Sequence, residues 1–347
     1  MSNIIVSAGI DMAMDKFDAC IMVGERGSHA PIKGTHTFPN TAAGFKEFLA
    51  WMLARAVAGA VFKVTMEATG SYYERLAYYL HSKGIEVSVE VPNKVKYYAK
   101  SLNTKGKNDK KDAKTIASLG LSRDLRIWKP MEKDLRDLRD MMREILSLKD
   151  CHTAAKNQMH AMDHSESKAA TVSASKQKQL DFYTSTIADL EAEVKALLKR
   201  NAGLKKRIEN VATIKGVGIH TALVVIAETG GFELFTSIRQ VVSYSGLDPI
   251  ENSSGKHVGK TRISKNGSKR LRTCLYMPSL SAGRHDKRMK DHKDRIIERN
   301  PTIKMKGQVA TMRKLLVLIY TLWKTGEKYD PNYKWSGAVA VSGNGEN

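Results

Sequence analysis

The sequence has few of the residues that build disulfide frameworks and membrane spans. Only three of its 347 residues are cysteine, and Cys20, Cys151 and Cys274 lie far apart with no paired spacing. This pattern argues against a disulfide framework and a zinc site, and it suits a reducing cytoplasm. The longest apolar stretches, such as residues 315–322, are far shorter than the roughly 20 residues that span a bilayer. Because the N-terminus also lacks a signal-peptide pattern, we expect a cytoplasmic protein with no membrane partner.

Acidic residues are scarce relative to basic ones. The chain has 57 lysines and arginines but only 36 aspartates and glutamates, which gives a formal net charge of +21. Residues 256–314 alone hold 18 basic and 4 acidic residues. An excess concentrated in this way is typical of a surface that binds phosphate groups, although a basic face with no partner is the alternative. The sequence therefore predicts a polyanionic partner.

Short apolar runs and amphipathic stretches alternate in the first part of the chain. Two apolar runs that flank Met14, Asp15 and Lys16 predict a β-hairpin over residues 3–24. Strands are then predicted at 34–38, 61–67 and 85–91, and helices at 41–58, at 71–83, from Lys94 and from Asp109. Three antiparallel strands followed by αβ units are typical of the RNase H and RuvC-like fold.

Proline is absent from residues 131–208, and glycine is nearly absent. Apolar residues recur there at spacings of three and four, which predicts two long helices separated by a polar break at 165–175. We interpret them as an antiparallel coiled-coil hairpin or dimerisation arm, and an ordinary helical bundle core is the alternative.

Glycine returns after Val211, and helices are predicted around residues 269–281 and 307–323. This part is expected to be a separate, mostly helical domain. The predicted division is an α/β RuvC-like domain at 1–125, a coiled-coil arm at 126–208, a C-terminal domain at 209–330 and a flexible tail at 331–347.

Four carboxylates are predicted to meet in the N-terminal domain. Asp11 lies in the first predicted strand, Glu67 ends the fourth, and Asp109 and Asp112 are three residues apart on one face of a helix. Clustered like charges repel each other unless cations neutralise them. Two Mg²⁺ ions, which prefer oxygen ligands and accept phosphate oxygens, fit this cluster. Each acid alone is more often structural, so the prediction depends on the combination.

Lysines surround the two helical aspartates, and a basic rim around an acidic pocket suits a phosphodiester substrate. The lysines expected to contact nucleic acid here are Lys105, Lys107 and Lys111.

The run from Ile214 to Gly218, ahead of a helical segment at 221–228, is similar to a helix-hairpin-helix motif. Glycines let the N–H groups of a helix N-terminus approach a DNA phosphate, so Gly216 and Gly218 are predicted to bind DNA. A simple tight turn between two helices is the alternative.

The segment from Tyr244 to Arg272 crowds hydroxyl groups among glycines and cations, which indicates an anion-binding loop. Ser253, Ser254 and Ser264 are each open to a simpler interpretation as turn residues. A serine nucleophile needs a stabilised leaving group, which neighbouring cations supply on a phosphate. The cations expected to bind nucleic acid are Lys256, Lys260, Arg262, Lys265, Lys269, Arg270 and Arg272.

Seven segments, taken together and in order, resemble the DEDD transposases of insertion sequences, the IS110 group, which are bridge-RNA-guided recombinases. These segments are GIDMAMDKFD, TMEATGSYYERLA, KNDKKDAKTIA, IKGVG, YSGLDP, SSGK and RISKNGSKRLR. The resemblance covers both ends and the middle of the chain.

The resemblance implies a RuvC-like domain whose acidic tetrad corresponds to Asp11, Glu67, Asp109 and Asp112, a coiled-coil arm and a C-terminal transposase domain. It also implies a serine nucleophile, Ser254, which forms a phosphoserine link to DNA. A structured RNA encoded by the element would specify donor and target DNA. A homo-oligomer, either a dimer or a tetramer, acting at the nucleoid of a prokaryotic cell is expected.

Two other functions are compatible with the sequence. A hydrolytic RuvC-like nuclease, such as a junction resolvase, would use the carboxylates alone and would not need Ser254. A non-enzymatic architectural protein would need neither the carboxylates nor the serine.

Overall fold

The structure is a computed structural model that describes residues 4–28, 30–55, 57–102, 109–167, 169–254, 257–259 and 261–333. For Asp109, Ser253, His257 and Val258 it describes the backbone alone. The chain divides into two compact units at Pro130. In the parts of the chain that are described, no helix combines the length and apolar character needed to cross a membrane.

The first unit is built on a mixed five-stranded sheet with the order β3-β2-β1-β4-β5. β1 pairs antiparallel with β2 and parallel with β4, and β4 pairs parallel with β5. The elements are β1 Ile4–Met12, β2 Lys16–Glu25, β3 Ile32–Pro39, α1 Ala42–Leu53, β4 Val61–Glu67, α2 Glu74–Ser82, β5 Glu86–Glu90, α3 Pro92–Ser101 and α4 Asp109–Ser122. The prediction of an α/β N-terminal domain is confirmed.

Helices cover both faces of this sheet. Side chains alternate along a strand, so Ile10 of β1 lies on one face and Gly9 lies on the other. Ile10 belongs to an apolar core that includes Phe17, Phe48 and Leu76, and so contains side chains of α1 and α2. The opposite face is covered by α4, whose Ala113 and Ala117 are buried. The alternation of side chains along the strands therefore places an aromatic-rich core on one face of the sheet. On the other face, α4 packs closely against the strands.

The second unit begins with two long helices, α5 Lys133–Asp163 and α6 Ala170–Arg200, which pack against each other. They run antiparallel, since Asp134 near the start of α5 accepts a hydrogen bond from Arg200 at the end of α6 (3.0 Å). The second helix begins inside the polar break predicted at 165–175. The first residues of α6 include alanines, which favour helix, and they include no glycine or proline. The helix can therefore begin before residue 176, where the predicted break ends.

The remaining elements of the second unit are mostly helical. They are α7 Ala202–Ala212, α8 Ile219–Thr229, α9 Ile238–Ser245, β6 Pro249–Ile250, β7 Ser253–Ser254, β8 His257–Val258, β9 Arg262–Ile263, α10 Lys269–His285, α11 Lys287–Glu298 and α12 Met305–Thr325. Of the predicted tail at 331–347, only residues 331–333 lie within the described residues. A mostly helical C-terminal part is confirmed.

Helix α8 lies at the centre of the core of this unit, and its residues from Ala222 to Thr229 are all buried. α8 packs against α5, α7 and α10. The one acid among these buried residues, Glu228, accepts two hydrogen bonds from the Arg143 guanidinium (2.6 and 2.9 Å). Glu228 is thereby neutralised inside the core, which is the usual condition for a buried carboxylate.

Candidate active site and nucleic-acid-binding surface

Two of the predicted catalytic acids lie side by side at one end of the central sheet. The parallel register pairs Ile10 of β1 with Met66 of β4, so Asp11 and Glu67 are the next residues along adjacent strands. Both side chains are half-buried. Residues at equivalent positions of neighbouring strands lie on the same face, so both carboxylates are on the face that α4 covers.

The contacts of α4 place its N-terminus at that same end of the sheet. Ala113 and Ala117 pack on Gly9, and the Ser7 hydroxyl donates to the Ala117 carbonyl (2.8 Å). Gly120, one turn later, lies against Ser7 and Thr65, closer to the beginning of each strand. The helix therefore runs away from the carboxyl ends of β1 and β4.

Asp112, which is half-buried, is in the turn of α4 nearest to those strand ends. Asp109 is the first residue of the helix, and its side chain lies outside the described residues. The structure brings three of the four predicted acids to one end of the sheet. Among the residues that the structure describes, no three His, Cys, Asp or Glu side chains are placed so that they could hold a metal ion. Three of the four predicted ligands are in that part of the chain, and the side chain of Asp109 is not.

Two further acids share the row formed by Asp11 and Glu67. The antiparallel register places Asp18 of β2 opposite Asp11, and the parallel register places Glu90 of β5 beside Glu67. Both are buried. Sequence analysis did not identify them because a row across a sheet is visible only once the strand registers are known.

The two added acids each have partners of their own. Asp18 accepts a hydrogen bond from Thr37 and lies 4.0 Å from the Lys16 ammonium, and Glu90 is paired with the Lys94 ammonium at 2.8 Å. These partners offset their charges inside the first unit. The outer positions of the row are therefore structural carboxylates, and Asp11 and Glu67 occupy its centre.

Close packing at Gly9 sets the position of α4 relative to β1. A Cβ atom at Gly9 would lie 2.0 Å from the Ala117 amide nitrogen and 2.3 Å from the Ala113 carbonyl oxygen. Both are backbone atoms, so no side-chain rotation relieves the contact. An alanine at position 9 would have to push α4, and with it Asp112, away from Asp11.

We therefore expect Gly9→Ala to destabilise the protein by about 2–3 kcal/mol through overpacking. DNA cleavage should fall by about 10²-fold, because an error of about 1 Å in the site is enough for such a loss. Thermal unfolding and single-turnover cleavage measure the two effects. Gly203→Ala is the matched control, since the closest atom to a Cβ there is the Asn201 Oδ1 at 3.7 Å. Equal behaviour of the two variants would contradict the role given to Gly9.

The lysines predicted near the acidic site are only partly described. Lys111 is exposed on α4, directly before Asp112. Lys105 and Lys107 lie outside the described residues.

The segment between α7 and α8 is the predicted helix-hairpin-helix. Gly216 has a positive φ of 91°, and a Cβ there would lie 2.6 Å from the Ala282 amide nitrogen of α10. Packing within the protein therefore accounts for Gly216. Gly218 is exposed, precedes the first residue of α8 and has open space around it. Of the two glycines, Gly218 is the one whose surroundings leave room for a phosphate.

The candidate nucleophile lies in a small double hairpin between α9 and α10. β6 pairs with β9, and within that ladder β7 pairs with β8, so that Ser254 is the cross-strand partner of His257. Ser254 is exposed. Ser264 instead donates a hydrogen bond to the Asp248 carboxylate (2.7 Å), which supports its interpretation as a turn residue.

The predicted cations near Ser254 fall into three groups. Arg262, Lys265, Lys269 and Arg270 are exposed, while Lys256 and Lys260 lie outside the described residues. Arg272 donates through one Nη atom to the carbonyl oxygens of Ser245 (2.9 Å) and Gly267 (3.1 Å). These bonds attach the loop before α10 to the end of α9, so Arg272 has a structural role that sequence analysis missed.

Two family models match the chain. A model described as Transposase, of the DEDD and IS110 type, covers residues 8–162, and one described as Transposase IS116/IS110/IS902 family covers residues 208–294. The chain belongs to the IS110 family of transposases. The first match spans the four predicted acids and the second spans Ser254. The sheet of the first unit fits the RNase H-like fold expected of this family.

Relatives of this IS110-family transposase include a gene-inverting protein and another transposase. A "Pilin gene-inverting protein" of Moraxella bovis is 28% identical over 325 residues, which is 93% of this chain and 97% of the relative. The "Transposase for insertion sequence element IS1111A" of Coxiella burnetii is 28% identical over 297 residues, 77% of this chain and 79% of the relative. The chain is thus an enzyme of DNA strand cleavage and rejoining.

Proposed function

We propose that this transposase cuts and rejoins DNA with a Mg²⁺-binding acidic tetrad and a serine nucleophile, guided by a structured RNA. The observation that carries the proposal is the register of β1 and β4, with Asp11 beside Glu67 at the end of the sheet where α4 begins. The tetrad is Asp11, Glu67, Asp109 and Asp112, and the nucleophile is Ser254.

The residues at the end of the sheet fit a magnesium site. Asp11, Glu67 and Asp112 offer only carboxylate oxygens, which are the ligands that Mg²⁺ prefers. All three are half-buried, and a bound cation stabilises the charged form of carboxylates that lie near one another. Bound Mg²⁺ would supply Lewis-acid stabilisation of charge on a phosphate. The role of the four residues is to hold the cations and to leave room for phosphate oxygens.

Ser254 is proposed to attack the scissile phosphate. Its Oγ forms an ester bond to phosphorus as the bond from phosphorus to the leaving DNA strand breaks, and the hydroxyl proton ends on the oxygen of that strand. One phosphate ester replaces another, so the reverse reaction can join a new strand without an external energy source. The exposed position of Ser254 on β7 gives DNA access to the hydroxyl.

Nucleic acid is proposed to bind the exposed cations around this hairpin. Arg262, Lys265, Lys269 and Arg270 are positioned by β9 and by the first turn of α10. Each cation that neutralises a phosphate releases counterions, which favours binding and makes it depend on salt. The N–H groups next to Gly218 are proposed to bind nucleic acid as well. The same role is proposed for Lys111 of the first unit and for the predicted cations outside the described residues, Lys105, Lys107, Lys256 and Lys260.

The antiparallel pair of α5 and α6 is proposed to act as a coiled-coil arm that joins two copies of the chain. The distal part supports this, since Val172 and Phe182 are large apolar residues exposed on α6. With this arm the chain would act as a dimer, or as a tetramer of two dimers. We also propose that this arm forms a domain of its own, with limits near residues 125 and 208.

Mass spectrometry of protein recovered after reaction with DNA that carries the ends of the element tests the proposal. We expect a nucleotide covalently attached to the peptide that contains Ser254. Asp11→Ala should lack this adduct while keeping DNA binding. DNA cut with free ends and no adduct would instead support a hydrolytic RuvC-like nuclease.

A further inference from the structure

The second unit contains a cavity of about 680 Å³ that the proposed chemistry does not use. Its walls come from β9, α11, α12 and the segment between the two helices. The apolar part of the lining includes Leu247, Ile263, Ile296, Val309 and Val317. The size is within the range of about 300–1,000 Å³ that is typical of sites for small molecules and cofactors.

Cations surround this apolar interior. The described lining includes Arg262, Lys306, Arg313 and Lys314, and it contains no carboxylate. None of the four cations forms an ion pair with a carboxylate in the described part of the chain; Lys306 donates instead to the Asn300 side-chain oxygen at 2.8 Å. The cavity therefore combines an apolar interior with positive charge that no acid of its lining offsets.

Charged residues outside the lining also surround Lys314, both the cations Arg288 and Arg295 and the acids Asp286 and Asp291. Burial lowers the pKa of the Lys314 ammonium below its usual value, and the nearby cations Arg288 and Arg295 lower it further. Burial also lowers the pKa of the His292 imidazole, with Lys314 as the next cause. An anion in the cavity would stabilise the protonated forms of both groups.

The cavity lies at the base of the hairpin that carries Ser254. Arg262 of β9 is paired with Ile250 of β6, and β6 is followed after two residues by β7, which contains Ser254. A single strand of nucleic acid bound along this hairpin would therefore pass close to Arg262, which lines the cavity.

We propose that this cavity holds one nucleotide that is unstacked from its strand, with the base against the apolar lining and a phosphate on the rim cations. The inference depends on the proposed function only in that it requires a nucleic-acid ligand. A nucleotide matches both properties of the site, because it joins an apolar-faced ring to an anion. Unstacking a base costs a few kcal/mol, and apolar contacts in a pocket offset that cost.

The cavity and the acidic tetrad have different tasks. The tetrad acts on the phosphate that is cut, whereas the cavity would fix the position of the strand relative to Ser254 by holding a neighbouring nucleotide. Binding at this site would depend on shape more than on hydrogen bonds, since Asn300, Thr261 and His292 are the uncharged polar residues of the described lining.

Photocrosslinking of the full-length protein tests the proposal. The probes are a 12-nucleotide single-stranded DNA and the RNA of the same sequence, each with a single 5-iodouracil base. We expect crosslinks to peptides that contain Met305 or Val309, both of which line the cavity. Crosslinking of the DNA alone, or of the RNA alone, identifies which nucleic acid supplies the nucleotide.

Val309→Trp fills the cavity without a change of charge, and we expect it to weaken binding of the crosslinked probe about tenfold and to remove the crosslink. Met277→Trp is the control, because Met277 is 67% exposed on α10 and does not line the cavity. Arg313→Gln, at an exposed position of α12, tests the rim without the risk of disturbing the core and should weaken binding several-fold.

Two results would overturn the inference. One is unchanged binding and unchanged crosslinks in both Val309→Trp and Arg313→Gln. The other is unchanged binding with an altered oligomeric state, which would make the cavity a contact between protein chains. Ser254→Ala should keep the crosslink, so failure of the serine mechanism and failure of this proposal are distinguishable.

Discussion

Asp11→Asn is expected to lower the rate of DNA cleavage by about 10²–10³-fold, the loss typical when a group that stabilises transition-state charge is removed. Asparagine has nearly the same shape as aspartate but carries no negative charge to hold a cation. Asp11 is half-buried and lies in register with Glu67, so no solvent-exposed acid replaces it. Single-turnover cleavage across a range of Mg²⁺ concentrations measures the loss.

The same substitution should leave the folded state intact. Asp11 has Glu67 on one side and Asp18 on the other in the row across the sheet. Removing the charge at its centre relieves repulsion between carboxylates. Asparagine also keeps a side-chain oxygen that accepts hydrogen bonds, so the unfolding temperature of Asp11→Asn without Mg²⁺ should stay close to that of the wild-type protein.

Asp15→Asn serves as the control for Asp11→Asn. Asp15 is exposed in the turn between β1 and β2, and its replacement changes the net charge by the same amount. Asp15→Asn should cleave DNA at the rate of the wild-type protein. If Asp11→Asn also cleaved DNA at the wild-type rate, Asp11 would be structural and the acidic tetrad would not be the catalytic site.

The order of elements in the first unit was predictable because its patterns are local. Apolar runs with period two locate the strands, and the turn at Asp15 separates β1 from β2. The same local patterns place Glu67 at the end of a strand and Asp112 in the first turn of a helix. The positions of these acids along their elements therefore follow from short stretches of sequence.

Contacts between distant segments were not predictable in the same way. Glu90 enters the row of acids only through the register of β4 and β5. The role of Gly9 depends on the approach of α4 more than a hundred residues later. Helix α11 was not predicted, because Met289 is its only buried residue among those described and its sequence is mostly charged.

The second unit shows the same limit at its loops. A glycine-rich run indicates a tight connection, but it does not say what the connection packs against. At Gly216 the neighbour is α10, whereas Gly218 has open space around it. In the sequence, Arg272 does not differ from the other cations of its basic segment. Only the structure shows that it donates hydrogen bonds to two carbonyl oxygens. Arg270, which is exposed, also lies 3.9 Å from the buried Glu228 carboxylate, so the exposure of a cation is visible only once the fold is known.

Ser254→Ala is expected to abolish the covalent adduct and to lower strand exchange by at least about 10³-fold, because the alanine side chain has no oxygen to form the phosphate ester. DNA binding should stay within about twofold, since a hydroxyl group contributes no charge to the salt-dependent affinity. Gel analysis of strand exchange and fluorescence anisotropy with labelled DNA measure the two quantities. The exposed position of Ser254 makes a loss of stability an inadequate explanation for any loss of activity.

Ser253→Ala and Ser264→Ala separate the three serines of this loop. Ser253 adjoins Ser254 on β7, and adjacent positions of a strand lie on opposite faces, so its replacement should leave the adduct in place. Ser264→Ala removes the hydrogen bond to Asp248 and should cost about 1 kcal/mol of stability with little effect on the adduct. An adduct that is lost in Ser253→Ala and retained in Ser254→Ala would move the nucleophile by one residue. Cleavage to free ends at an unchanged rate in Ser254→Ala would make the enzyme a hydrolytic nuclease, with the carboxylates of the first unit as its sole catalytic groups.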